Sequence, residues 1–293
     1  MLDADVIQTK TQSFDVATAA IKGARDYQED SLISSFPIGQ SAGFAVISDG
    51  LGGHAAGDTA SALVATEMFA QLKMQESQLL NGALDVPDAL RAAVISANQK
   101  IASHVQADAD TTGMGATLLA PVIQGDRLSW ISVGDSPLYL LRDGVLQQLN
   151  QDHSMAPQID MMVMSGMLTA EAGATHPHRN SLISVLDGQE IAQIDCPASP
   201  MVLQDGDILI AATDGLQFLS EALIAKTLTN VKDVPAAEIA RALLAALAQL
   251  NHPQQDNTAF VVIKVNVADV PGAVVDFGAM PVLAHVDVLE ASA

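Results

Sequence analysis

Asp49-Gly50-Leu51-Gly52-Gly53-His54 follows the apolar run Phe44-Ala45-Val46-Ile47-Ser48, and this junction carries the strongest structural signal in the chain. The apolar run reads as a buried strand that ends on a carboxylate. Three glycines within four positions, Gly50, Gly52 and Gly53, open backbone conformations closed to residues with a Cβ, so the turn is tight and bare. The Asp49 side chain and the neighbouring carbonyls can then converge on one hard cation. Asp214-Gly215 repeats the pattern after the run Asp207-Ile208-Leu209-Ile210-Ala211-Ala212, and Asp256 opens the run Asn257-Thr258-Ala259-Phe260-Val261-Val262-Ile263. Three aspartates at three strand ends, far apart along the chain, point to a metal centre assembled by folding.

The remaining composition narrows the class. A chain of 293 residues suffices for one large domain or two small ones. Hydrophobic residues at 49% and charged residues at 16% describe a globular protein. Aromatics are only 3%, so the core rests on Ala, Val, Leu, Ile and Met. No apolar run approaches the ~18 residues of a membrane span. The start, Met1-Leu2-Asp3-Ala4-Asp5, lacks the basic region of a secretory signal, so a soluble cytoplasmic protein with no membrane partner is expected. A formal charge of −21 with 13 Lys and Arg argues against nucleic acid. It also disfavours anionic substrates, unless bound cations reverse the local sign. The lone cysteine, Cys196, permits no intramolecular disulfide and reads as a packing residue.

Strand-like runs fall at 15–21, 43–48, 114–123, 128–133, 137–141, 181–185, 191–194, 207–212 and 257–265. Gln124-Gly125-Asp126 and Arg142-Asp143-Gly144 are turn signals between them, which predicts antiparallel hairpins. Helices are expected over 57–73, over 87–108 with the stripe Leu90, Val94, Ala97, Ile101 and Val105, and over 235–251 with Ile239, Leu243, Leu247 and Leu250. Pro87 and Pro235 stand where a helix can begin. Strands and helices mix without regular βαβ alternation, which favours an α+β fold of antiparallel sheets covered by helices.

Five segments require one explanation: Arg25-Asp26-Tyr27-Gln28-Glu29-Asp30, the Asp49 turn continuing to Gly57-Asp58-Thr59-Ala60-Ser61, Gly115-Ala116-Thr117, Gly134-Asp135-Ser136, and Asp214-Gly215 with Asp256-Asn257. In this order they closely resemble the metal-dependent protein phosphatases of type 2C. Asp152-His153-Ser154 and His176-Pro177-His178-Arg179-Asn180 resemble the bacterial members. The match covers roughly Ser13 to Val265, which suggests a lead-in over 1–12, a phosphatase domain over 13–266 and a tail over 267–293. The resemblance implies a four-layer αββα sandwich with a binuclear Mn²⁺ or Mg²⁺ site at one end. Asp49 would bridge both metals, the Gly50 carbonyl would bind one, and Asp214 and Asp256 would hold the other. Glu29 and Asp30 would add a carboxylate, Asp135 with Asp214 a third, looser metal, and Arg25 a grip on phosphate.

That implies a phosphoserine/phosphothreonine protein phosphatase that uses water activated between two divalent cations. Its partners would be phosphoproteins, opposed by a Ser/Thr kinase, and the protein a monomer. The residue chemistry agrees independently. All-oxygen ligands suit Mg²⁺ and Mn²⁺, and paired cations can clamp an in-line displacement at phosphorus. A guanidinium such as Arg25 meets two non-bridging oxygens at once.

The chain departs from the pattern in places. Gln28 replaces an Asn, and Pro137 replaces the Arg that usually follows Gly-Asp-Ser. Leu51 stands where eukaryotic relatives carry a candidate general-acid His, while His54 and the pair His176 and His178 read as loop residues. Five methionines, Met155, Met161, Met162, Met164 and Met167, lead into what is a mobile flap in related phosphatases; they would either accommodate varied phosphopeptides or pack a short helix. The competing reading is a phosphatase-like binding protein that has lost catalysis. A plain Ca²⁺ module fails because no Asp-rich loop of the EF-hand type is present.

Overall fold

The computed structural model describes residues 10–52 and 55–269. His54, the lead-in before residue 10 and the tail after residue 269 lie outside them. One sheet comprises β1 (Lys10–Ile21), β7 (Leu138–Arg142), β8 (Val145–Gln148), β10 (Ile208–Ala212) and β11 (Thr258–Asp269), in the order β1-β11-β10-β7-β8. The other runs β2 (Asp30–Ser35), β3 (Ala42–Leu51), β5 (Leu118–Gln124), β6 (Arg127–Val133) and β9 (Met201–Val202), with β4 (Gly115–Ala116) paired to β3. Every pairing is antiparallel.

The apolar runs are continuous, not alternating, because both faces of each central strand are covered. Successive side chains on a strand point to opposite faces. On β3, Ala45 and Ile47 enter the core between the sheets while Phe44 and Val46 enter a second core. That second core packs under α1 (Ala55–Met74) and α3 (Val86–Ala107). On β10, Leu209 and Ala211 face the other sheet. Ile208 and Ile210 face a third core under α6 (Glu221–Asn230) and α7 (Ala236–Leu250). Three stacked cores separate four layers, the expected αββα sandwich.

The hairpins form where the turn residues allow. Asp143 and Gly144, both at positive φ (52° and 78°), join β7 to β8, the geometry that matches the natural twist of the strands. Gly125 at φ 63° does the same between β5 and β6. Asp85 caps α3 through the Asp88 amide at 3.3 Å, with Pro87 in the first turn. The α7 stripe buries Ile239, Leu243 and Leu247, each worth about 1.5–3 kcal/mol. Leu250, however, is exposed at the end of the helix, where Asn251 turns the chain into the left-handed region.

Several elements differ from expectation. Residues 181–185 and 191–194 are not strands, because the Ser184 hydroxyl accepts from the Gln193 amide (2.9 Å) and donates to its carbonyl (2.7 Å), taking the place of a ladder. The run 114–123 is interrupted at Thr117, whose amide turns to the Asp49 carbonyl at 2.8 Å. β2 and α6 carry little signal of their own, because serines interrupt the first and the second buries only Ile224 and Leu228. Cys196 is buried, but it has a basic neighbour that its sequence neighbours do not reveal: Arg91 donates to its Sγ at 3.2 Å and to its carbonyl at 2.6 Å. Burial still pushes the thiol up.

Candidate active site

All the expected site residues gather at one end of the sandwich, where strands from both sheets terminate. The β2–β3 register sets Asp30 directly opposite Asp49. In the facing sheet, β10 runs into Asp214, and Asp256 stands two residues before β11. Thr213 Oγ1 donates to Asp30 Oδ2 at 2.8 Å and so ties the two sheets together.

Three residues without an assigned role hold this end in place. Asn257 donates through Nδ2 to the carbonyls of Lys22 (2.8 Å) and Tyr27 (2.9 Å), and its Oδ1 accepts the Glu29 amide at 2.8 Å. One side chain thus holds the whole Arg25 loop against β11. Thr117 Oγ1 accepts the Asp49 amide at 3.0 Å and lies 3.0 Å from Ser136 Oγ, joining the Asp49 strand to the Asp135 loop. His153 brackets Gly134: its Nδ1 accepts the Gly134 amide at 3.2 Å, and its own amide donates to the Gly134 carbonyl at 3.0 Å. Thr117, Asn257 and His153 lie within the sequence motifs, but only the fold shows what each touches.

Two glycines permit the close approach of these segments. A Cβ on Gly50 would stand 2.0 Å from the Gly57 carbonyl oxygen, and one on Gly215 would stand 1.9 Å from that of Asn257. Gly215→Ala is therefore expected to force the Asp214 turn from β11 and destabilise the domain by about 2–4 kcal/mol, a cost typical of overpacking plus backbone displacement. Chemical denaturation measures this; an unchanged midpoint would show that the turn relaxes freely.

Burial sets the electrostatics of the centre, and repulsion between carboxylates adds to it. Asp49 is held well above the usual carboxylate range, by burial first and then by Asp30, Asp214, Asp135 and Asp256. Burial likewise raises Asp30 to about 7, against the Thr213 hydrogen bond, with Asp214 and Asp256 adding to it. Asp214 rises to about 6 through burial and Asp256, opposed by Arg25 and by a side-chain hydrogen bond with Asp49. Asp135 rises to about 8 through burial, then Asp214 and Asp152.

Among the described residues, no three acidic, His or Cys side chains stand together at metal-holding spacing. Asp214 and Asp49 share a side-chain hydrogen bond, and two other carboxylates have taken protein partners. Asp30 takes Thr213, and Asp256 Oδ2 takes Arg25 Nη2 at 2.5 Å. Arg25, expected to grip phosphate, therefore stands on Asp256, with its side chain 55% exposed. Asp214 Oδ1 and Glu29 Oε1 are buried without any hydrogen-bond partner. Buried carboxylate oxygens left unpaired, among groups that raise one another's pKa, are the donor set a hard divalent cation satisfies. On these grounds the residues fit such a group.

Outside this centre, α4 (Ala156–Met164) buries only Ile159, and Met161, Met162, Met164 and Met167 are exposed. They do not pack that helix onto the body. His176 and His178 lie on an exposed turn with ring centroids 5.9 Å apart.

The family model described as "Protein phosphatase 2C" matches residues 28–252. The chain belongs to the protein phosphatase 2C family. The serine/threonine protein phosphatase PstP of Mycobacterium tuberculosis is 34% identical over 221 residues, 75% of this chain and 40% of that protein. The serine/threonine phosphatase stp of Listeria monocytogenes is 32% identical over 171 residues, 58% of this chain and 65% of that protein. The match thus spans about two fifths to two thirds of these relatives. The crystal structure of the M. tuberculosis phosphatase PstP/Ppp superposes with a TM-score of 0.71 at 31% identity, covering 86% of this chain and 99% of that one. The PstP catalytic domain in complex with two manganese ions gives 0.68 at 30% identity, covering 88% and 100%. Two antiparallel sheets flanked by helices are thus a shared family architecture.

Proposed function

We propose that this protein is a metal-dependent phosphoserine/phosphothreonine protein phosphatase. The observation that carries the reading is the group of mutually repelling carboxylates at the sandwich end, with Asp214 Oδ1 and Glu29 Oε1 unpaired. Asp49, the Gly50 carbonyl, Asp214 and Asp256 would hold two Mn²⁺ or Mg²⁺ ions, with Glu29 or Asp30 contributing and Asp135 serving a weaker third position. Bound there, such cations supply charge neutralisation for a phosphoryl group and make water nucleophilic near neutral pH.

The chain's own groups do the rest. Thr117, which accepts the Asp49 amide, and the Gly50 amide, which donates to the Glu29 carbonyl at 3.1 Å, fix the backbone that carries the Asp49 carboxylate. Thr213 orients Asp30, and Asn257 fixes the loop that carries Arg25. Arg25, half out in solvent, can turn its planar donors to the phosphate. No side-chain nucleophile is required, and Cys196, buried beside Arg91, is unsuited to the task. Pro137 accepts the Ala212 amide through its carbonyl at 3.0 Å, so the loop that lacks the usual Arg is still seated on β10. Its substitution gives no ground for the binding-protein alternative.

Among the described residues, no helix is long and apolar enough to cross a membrane. A monomer working in the cytoplasm on phosphoproteins, opposite a Ser/Thr kinase, completes the proposal. The test is release of phosphate from a phosphothreonine peptide by the purified protein. Turnover with Mn²⁺ or Mg²⁺ and none in excess chelator is expected. Equal turnover in both, or none under either condition, would overturn the reading.

A further inference from the structure

A cavity of about 510 Å³ opens beside the carboxylate centre, with Asp135 and Asp214 at its inner end and Asp152, Asp160, Arg179 and Glu221 among its walls. Its charges do not balance. Arg179 is the only Lys or Arg in the lining, and both of its terminal nitrogens are engaged with Asp160, at 2.6 and 2.9 Å. With Asp135 and Asp214 belonging to the metal-holding set, Asp152 and Glu221 are left over. Asp152 accepts the Ser154 amide at 2.8 Å within its own turn, and Arg179, bound to Asp160, also feels its field. Neither Asp152 nor Glu221 takes part in an ion pair among the described residues. Asp152 and Glu221 line the cavity together with Gln217, whose Nε2 donates to the buried Tyr139 hydroxyl at 3.3 Å. The buried, unpaired Asp214 Oδ1 lies in a residue lining the same cavity, so the space is continuous with the reacting end.

We propose that this cavity receives an Arg or Lys side chain of the substrate between Asp152 and Glu221. The favoured phosphoproteins then carry a basic residue within a few positions of the phosphorylated Ser or Thr. The inference rests on the phosphatase reading of the adjoining centre. A guanidinium or ammonium brings only donors, and carboxylates outside any ion pair bring only acceptors. The flanking cation also offsets the repulsion between a phosphorylated segment and a chain of charge −21.

The test uses the full chain and three fluorescein-labelled phosphothreonine peptides that differ at one flanking position: Arg, Gln or Glu. The position is scanned on both sides of the phosphothreonine. Phosphate release with Mn²⁺ reports catalysis, and anisotropy in chelator at low salt ranks binding. The Arg peptide is expected to bind about threefold to tenfold tighter than the Gln peptide, and the Glu peptide weakest, as for a partly accessible charge pair. The ratio should fall toward one in the Asp152→Asn/Glu221→Gln double variant, whose fold is checked by thermal melting, and in high salt. Equal binding of the Arg and Gln peptides at every position, or a preference that survives the folded double variant, would overturn the proposal. Ranking by anisotropy without phosphate release would instead strike the phosphatase reading and leave the cavity's selectivity standing.

Discussion

Asp49→Asn is expected to lower metal-dependent phosphate release by at least roughly 10²–10³-fold, the scale on which removing one preorganised electrostatic group acts. Asp49 is the carboxylate that Asp30, Asp214, Asp135 and Asp256 all repel, and Asp30 sits directly opposite it in the ladder. The substitution keeps the size of the side chain and leaves the Asp49 backbone bonds to Thr117 untouched, so the fold has no reason to change. It also removes a charge that burial already disfavours. The variant in chelator should therefore melt at or above the parent. The informative pair of measurements is kcat with Mn²⁺ beside a melting curve without it. Retention of a third or more of the parent's kcat would remove Asp49 from the centre, and loss of both activity and fold would make its role structural.

The second large effect is on stability against pH. Asp30, Asp135 and Asp214 rise to about 7, 8 and 6, and Asp49 rises well above its ordinary value. For a carboxyl whose folded pKa is raised, the folded state binds the proton more tightly than the unfolded chain. The stability so contributed is fully present below the unfolded value of about 4 and is lost as pH rises through the folded values. In chelator the protein should accordingly be less stable at pH 8 than at pH 5. A tenfold difference in proton affinity between the two states is worth about 1.4 kcal/mol, and about 2–4 °C in Tm follows each kcal/mol in a domain of this size. The fall in melting temperature is on the order of 10 °C. Added Mn²⁺ should recover it at pH 8, where the carboxylates are charged and free to bind, and do much less at pH 5. A melting temperature that climbs from pH 5 to pH 8 in chelator would show that these carboxylates do not crowd one another in solution.

Much of this architecture is legible in the sequence because the physics acting on it is local. Glycine after aspartate at a strand end marks a turn, Asp143-Gly144 marks a hairpin, and the spacing of Leu90, Val94, Ala97 and Ile101 marks a buried helix face. Each depends on residues within a few positions. The strands with both faces covered are the clearest, since their apolar runs have no polar alternation to dilute them. What misleads is also local. The runs 181–185 and 191–194 have strand composition, yet the Ser184 hydroxyl satisfies the backbone that a ladder would have used. β2 is polar for a strand, yet its pairing with β3 places Asp30 in the centre.

The amino-acid order alone sets which residue types the centre has to work with: oxygen ligands, no usable thiol, and glycines where backbones must meet. Those are properties of composition and short-range sterics. It takes the folded chain to bring Asp30 opposite Asp49 and to make Thr213 link the sheets. The same holds for Arg25 resting on Asp256, for Asn257 holding the Arg25 loop, and for Asp152 and Glu221 lining one cavity. These pairs are separated by tens to hundreds of positions along the chain. Their proximity follows from how two sheets register and stack, a collective outcome of three packed cores that no short stretch of residues encodes.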